Sequence, residues 1–241
     1  MASESDLSMK YQNIKEALFL KRPNRFIAYA KLNDEIVTCH VKNTGRCKEL
    51  LIPGETTVYL EDHGETTTRK TRYSLVKAKK GSRLVNLDSQ APNQIVFEWM
   101  QAGNLYSDLT LLKREYKYGN SRFDLYYERA NGIKGFVEVK GVTLEVNNIA
   151  RFPDAPTERG VKHIYELMEA TKVGYETNII FVIQMSSIDH FEPNDETHAA
   201  FGDALRIANT SGVRIIALDC DVTENEVWAK DFVTIKLDGK R

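Results

Sequence analysis

The run Asn178-Ile-Ile-Phe-Val-Ile-Gln-Met185 constrains the fold more than any other stretch of this chain. Successive residues of a strand point to opposite faces, so five consecutive apolar side chains cannot share one face. Such a run is stable only where both faces are covered, as in a sheet flanked by helices. "VRIIALDC" (213–220) has the same character, and a helical stretch near Asp195 to Asn209 separates the two. A strand–helix–strand succession predicts an α/β arrangement.

The preceding segments extend that pattern. "APNQIVFEWMQAG" reads as a helix ending at Gly103, followed by strand-like "LLKREYKYG", "RFDLYYE" and "GFVEVKGVTL". A second helix starts after Thr157 as N-cap, with Glu158 in its first turn and Val161, Ile164, Tyr165 and Met168 as its apolar stripe. Gly160 inside that first turn is unfavourable by about 1 kcal/mol relative to Ala, which implies close approach by another backbone or a ligand. The order helix, three strands, helix, strand, helix, strand predicts a mixed sheet.

The first third of the chain is different. "RFIAYAKL", "EIVTCHV", "TTVYLED" and "RYSLVKAK" are short strand-like runs separated by turn signals at Asn33-Asp34, Asn43-Thr44-Gly45, Pro53-Gly54 and His63-Gly64. Regular short strands over about 80 residues predict an OB-type barrel. The chain is therefore read as α+β overall, with a small barrel over 1–85 and an α/β domain over 86–241.

With 42% apolar and 28% charged residues, the 241-residue chain has the composition of an ordinary globular protein. No apolar run is long enough to span a bilayer, and the start lacks a signal-peptide core, so neither a membrane nor secretion is expected. Cys39, Cys47 and Cys220 have no paired or zinc-like spacing and read as reduced thiols of a cytoplasmic protein. The first 90 residues hold 16 basic and 11 acidic side chains, the remainder 17 and 23. A basic module on an acidic body would suit an anionic partner held beside a cation.

Chemistry concentrates at "GFVEVKGVTL". If Ala130-Asn131-Gly132 forms a three-residue hairpin loop with Gly132 left-handed, Arg129 pairs with Ile133 and Asp124 lies opposite Glu138. Asp124, Glu138 and Lys140 then share one face, and Phe123, Leu125, Val137 and Val139 the other. A two-residue Asn-Gly loop would shift the register and part the carboxylates. Facing carboxylates repel unless a cation lies between them, and Mg²⁺ typically takes one or two protein carboxylates plus water and phosphate. Lys140 could orient a water or steady charge on phosphorus. The competing reading is a solubilising strand face, since Glu115-Tyr116-Lys117 repeats the same spacing. The chain shows no Ser-His-Asp arrangement, Walker loop or dinucleotide fingerprint.

Over about 90–220 the chain resembles the PD-(D/E)xK nuclease superfamily, with Asp124, Glu138 and Lys140 in the motif places and Phe123 where a proline is usual. "FPD" at 152–154 follows the Glu-x-Lys and is out of order. Closer still, "NTGRCKELLIPG", "NSRFDL", "VEVKGVTL" and "RFPDAPTERGVKHIYEL" resemble the signature blocks of the sugar fermentation stimulation protein A family, over nearly the whole chain. That resemblance implies an N-terminal OB-like domain that binds DNA, a restriction-endonuclease-like C-terminal domain and a link to sugar-utilisation genes. Glu98 sits where many superfamily members carry a further acidic residue, with Glu115 its rival.

The resulting expectation is a DNA-binding, Mg²⁺-dependent nuclease, with Mn²⁺ as a substitute cation and no small-molecule cofactor. Asp124, Glu138, the Val139 carbonyl and Glu98 would hold the metal, and an oligomer is left open. The alternative is a non-catalytic DNA-binding regulator. Nucleic-acid contacts are expected from Arg25, from the Asn43-Thr44-Gly45 turn with Arg46, from Lys70 and Arg72, and from Arg159, Lys162 and His163 after "FPDAPTERG".

Overall fold

A computed structural model describes residues 8–43, 45–119 and 121–238. In chain order the barrel region contains β1 (Met9–Lys10), β2 (Ile14–Lys21), β3 (Ile27–Leu32), β4 (Glu35–Val41), β5 (Thr57–Asp62), β6 (Tyr73–Lys80) and β7 (Arg83–Asn86). Strands β2 to β6 form the barrel, and parallel pairing of β4 with β6 closes it. Its interior is filled by apolar side chains, among them Phe19, Ala28, Ala30, Cys39, Val58, Leu60 and Leu75. Strand β7 pairs with β6 outside the closure.

The rest of the chain runs α1 (Ala91–Gln101), β8 (Leu109–Tyr118), β9 (Ser121–Arg129), β10 (Lys134–Val142), β11 (Leu144–Val146), β12 (Ile149–Phe152), α2 (Glu158–Lys172), β13 (Glu176–Ile183), β14 (His190–Pro193), α3 (Asp195–Thr210), β15 (Arg214–Val222) and β16 (Glu226–Phe232). The large sheet has the order β1-β16-β15-β13-β10-β9-β8. Its centre, β10, β13 and β15, is parallel. Helices α2 and α3 are the crossovers between these strands, as parallel neighbours require. Strand β1 lies at the edge of this sheet although it precedes the barrel in sequence.

The buried run of β13 shows why both faces had to be covered. Ile179, Phe181 and Ile183 join one core with Ile164, Leu167, Phe201 and Leu205 of the two crossover helices. Ile180 and Val182 join the other, with Ile95, Val96 and Met100 of α1. A further three-stranded sheet, β11-β12-β14, adds to the simple strand–helix pattern. No helix of the described residues is long and apolar enough to cross a membrane.

Strands β6 and β7 are joined to the rest of the chain by polar contacts. Asn86 donates its backbone N–H to the Gln184 carbonyl at 2.9 Å and its side-chain amide to Gln184 Oε1 at 2.7 Å. Lys80 reaches Glu145 Oε2 at 2.7 Å, and Arg83 reaches the same oxygen at 3.3 Å.

Candidate active site and nucleic-acid interface

The β9–β10 hairpin has the register that faces the carboxylates. Gly132 is left-handed at φ +84°, the Arg129 N–H meets the Ile133 carbonyl at 2.8 Å, and pairing runs from Lys134↔Glu128 to Val137↔Leu125. The next pair in that register is Asp124 and Glu138, where the backbone ladder stops. There Asp124 Oδ2 takes the Val139 N–H at 2.8 Å and Oδ1 accepts from Asn93 of α1 at 2.8 Å. The side chain thus supplies the acceptor that the neighbouring strand no longer offers.

This divergence changes the faces. Leu125, Val137 and Val139 belong to the α1 core as expected, but Phe123 does not. It packs instead against Phe136, ring centroids 4.7 Å apart, in the core on the α2 side. Strict alternation fails at Phe123 because the strands separate at Asp124.

Glu138 is 3% exposed. Its Oε1 accepts from both Lys140 Nζ and His163 Nδ1, while its Oε2 is buried and has no hydrogen-bond partner among the described residues. Burial raises the Glu138 pKa, but the His163 hydrogen bond and the Lys140 charge outweigh it, so the net shift is downward. Asp124 is shifted upward, first by burial and then by the charge of Glu138. Opposite displacement of two neighbouring carboxylates marks a shared electrostatic site.

Helix α2 brings His163 to this site. Thr157 Oγ1 accepts the Gly160 N–H at 3.0 Å and fixes the first turn. A Cβ on Gly160 would lie 2.9 Å from the Thr157 side chain and 3.2 Å from the Phe201 ring, so this glycine serves helix packing rather than a ligand. Arg159, exposed, donates to His163 Nε2 at 3.4 Å. That contact is consistent with the tautomer whose Nδ1–H points at Glu138.

The remaining sequence-selected residues divide. Glu98 accepts from Gln94 of its own helix, and α1 reaches the carboxylates through Asn93 instead. Glu98 Oε2 is buried and without a hydrogen-bond partner among the described residues, and no three His, Cys, Asp or Glu side chains there come together as a metal-holding group. Glu115 is exposed and pairs with Arg122 at 3.1 Å. Lys162 is exposed beside Glu166 at 3.4 Å. Asn93 and Gln94 were missed by sequence reasoning, and nothing in a polar first helical turn would have singled them out.

Arg25 and Arg46 line one groove of 900 Å³ together with Lys21, Arg22 and Lys48, closed on the far side by Ala155 and Pro156 ahead of α2. Arg22 is committed to the loop, donating to the Gly45 carbonyl at 2.7 Å and the Arg25 carbonyl at 2.8 Å. Asn43 Oδ1 accepts the Gly45 N–H at 2.7 Å. Thr44 lies outside the described residues. Lys70 and Arg72 are elsewhere: β5 runs antiparallel to β2, with Ile14 opposite Glu61, so the loop after β5 is at the barrel end remote from Arg25. Arg72 is also neutralised there by Asp62 at 2.7 Å.

A closed five-stranded OB barrel followed by a mixed-sheet domain with three helices defines the class of protein. Residues 20–87 match the model described as the SfsA N-terminal OB domain, and residues 90–226 match the sugar fermentation stimulation protein RE domain. The chain belongs to the sugar fermentation stimulation protein A family. It is 56% identical over 229 residues to a sugar fermentation stimulation protein homolog of Ruminiclostridium cellulolyticum, covering 95% of this chain and 100% of that one. A homolog from Desulfitobacterium hafniense is 55% identical, with 95% and 99% covered. Among solved structures, Pyrococcus furiosus SfsA in complex with Ca²⁺ superposes with a TM-score of 0.85 at 26% identity, covering 95% of this chain and 98% of that one.

Proposed function

We propose that this protein is a metal-dependent nuclease of the PD-(D/E)xK type that hydrolyses DNA phosphodiesters. The observation that carries the reading is Glu138: a carboxylate held ionised by Lys140 and His163, with one buried oxygen lacking a hydrogen-bond partner among the described residues. A buried unpartnered carboxylate oxygen is costly unless a ligand completes it. With Asp124 beside it, the donor set is the one or two carboxylates that Mg²⁺ accepts, its other positions going to water and phosphate. The Ca²⁺ named for the Pyrococcus furiosus relative supports a divalent cation in this family. Mn²⁺, also an oxygen-binding cation, would serve as a substitute.

Each residue then has a role. Asp124 and Glu138, with the Val139 carbonyl, would hold the cation, which when bound supplies Lewis acidity toward a phosphate oxygen. Lys140 orients the attacking water and offsets the charge gathering on phosphorus as the bond to the leaving oxygen breaks. His163 and Arg159 keep Glu138 in place. The basic groove, running toward the start of α2, would hold the DNA backbone by charge, so binding should fall steeply with salt.

The same groove would also serve a DNA-binding regulator without catalysis, and cleavage separates the two. Labelled DNA incubated with Mg²⁺ or Mn²⁺ should be cut, and EDTA should stop it. Glu138→Gln and Asp124→Asn should each lower the rate by about 10²-fold or more while DNA affinity persists. Binding without cutting on single-stranded, duplex and branched DNA would favour the regulator.

A further inference from the structure

A second cavity opens where the barrel meets the C-terminal end of β10. It encloses 190 Å³ and is bordered by Asn43, Ser89, Thr143, Phe152, Asp154 and Gln184. That is room for about six waters at about 30 Å³ each. Pockets for drug-sized ligands are larger, about 300–1,000 Å³. The space suits a single ring system and is too small for a dinucleotide.

Two of its amides are buried, and the carboxylate beside them is half-buried. Gln184 is 1% exposed; its amide oxygen accepts from Asn86, and its amide nitrogen has no partner among the described residues. Asn43 is 9% exposed; its side-chain oxygen is taken by the Gly45 N–H, and its amide nitrogen has no partner among the described residues. The Asp154 carboxylate makes neither a hydrogen bond nor an ion pair among the described residues. A Cβ on Gly45 would lie 2.3 Å from Asp154 Oδ2, so only glycine there lets this carboxylate occupy its place. Two amide donors and one strong acceptor thus border a shared space, with Phe152 as part of the wall.

This lining suits neither a phosphate nor an apolar ligand. Asp154 repels an anion, and the one guanidinium present, Arg151, is tied to Glu192 at 2.7 Å. A flat heterocycle with donors and acceptors on its edge fits the set, by hydrogen bonds at the rim and contact with an aromatic face. The surroundings say where such a ring would come from. Gly45 borders both this cavity and the basic groove, and Gly141 and Val142, the residues directly after Lys140, form its inner wall. Groove and cavity therefore share a border at Gly45, and the cavity begins one residue past Lys140 along β10.

We propose that the cavity receives one unstacked nucleobase of the strand being cut, which makes the substrate a single strand or a duplex carrying an unpaired nucleotide. The inference rests on the nuclease reading of Asp124 and Glu138 and adds the substrate class. A base inside an intact duplex reaches such a cavity only by unpairing and unstacking, which costs a few kcal/mol. A nucleotide that is already unpaired avoids most of that cost.

The test is photocrosslinking of the full chain in EDTA to a single-stranded oligonucleotide containing 5-iodouracil, with adducts mapped by mass spectrometry. Adducts at Phe152 are expected, fewer with the fully paired duplex. Ser89→Trp, at an exposed turn residue, should fill the mouth and lower Phe152 adducts about tenfold, leaving adducts along the barrel groove. Leu144→Trp, from the opposite wall, should do the same. Adducts confined to the groove, or Phe152 adducts unaffected by both substitutions, would overturn the proposal. Metal-dependent cleavage measured in parallel keeps the two ideas apart. Cutting without Phe152 adducts sinks the base cavity alone, and Phe152 adducts without cutting sink the nuclease alone.

Discussion

Glu138 and Asp124 are neighbours whose environments act in opposite directions. Glu138 is driven below the ordinary carboxylate range despite burial, by His163 and Lys140; Asp124 is driven above it by burial and by Glu138. For Glu138 the lowered pKa contributes stability above the unfolded value, lost as pH falls through the depressed folded value. For Asp124 the sign reverses: the ionised form is disfavoured in the fold, so it costs stability at neutral pH, and this cost vanishes once pH drops below the unfolded value. Asp124→Asn should therefore raise the melting temperature of the cation-free protein at pH 7. It should also abolish any further rise with Mg²⁺. Glu138→Gln should lower the melting temperature at the same pH. Calorimetry in EDTA and in Mg²⁺ at pH 7, repeated near pH 3, checks both signs, because the Asp124→Asn gain should disappear at the acid end.

At the level of elements, the sequence was readable where one local rule sufficed. The left-handed Gly132 set the hairpin register, the Thr157 cap set the start of α2, and continuous apolar runs set β13 and β15 as covered strands. Reading failed where pairing is long-range. "IKEALFLK" at β2 lacks the β-branched signature and becomes a strand because β3 and β5 flank it. The short strands β11, β12 and β14 exist only through one another. Phe123 left its expected face because Asp124 replaces a backbone acceptor, and alternation cannot foresee that. Lys70 and Arg72 looked like partners of Arg25 because they share a barrel, yet barrel ends are assigned by strand direction, not by composition. The triad of Asp124, Glu138 and Lys140 was visible in sequence; the contribution of His163 to Glu138, and the cavity behind Lys140, needed the crossover helix and the domain joint.

The whole molecule depends on that joint, and one buried cation lies in it. Lys77 of β6 is fully buried, donates to the Glu224 carbonyl at 2.8 Å and stands 4.1 Å from the Tyr11 ring centroid. Burial lowers its pKa to about 7, against the opposing pull of Glu61, Asp88, Glu224 and Glu226. The unfolded chain keeps this lysine protonated up to its ordinary value near 10.4. Its contribution to stability is therefore most unfavourable below pH 7 and is relieved as pH rises toward that value. Lys77→Met should stabilise the protein at pH 7 by about 1 kcal/mol or more and flatten the rise between pH 7 and 10. Urea unfolding midpoints across that range would show it.

The central claim is that Asp124 and Glu138 hold a divalent cation, and the direct measurement is anomalous diffraction from crystals soaked in Mn²⁺. A peak at coordination distance from Glu138 Oε2 and the Asp124 carboxylate, absent in Glu138→Gln crystals, is the result this account predicts. Saturating Mn²⁺ that leaves no peak between these two carboxylates would contradict it.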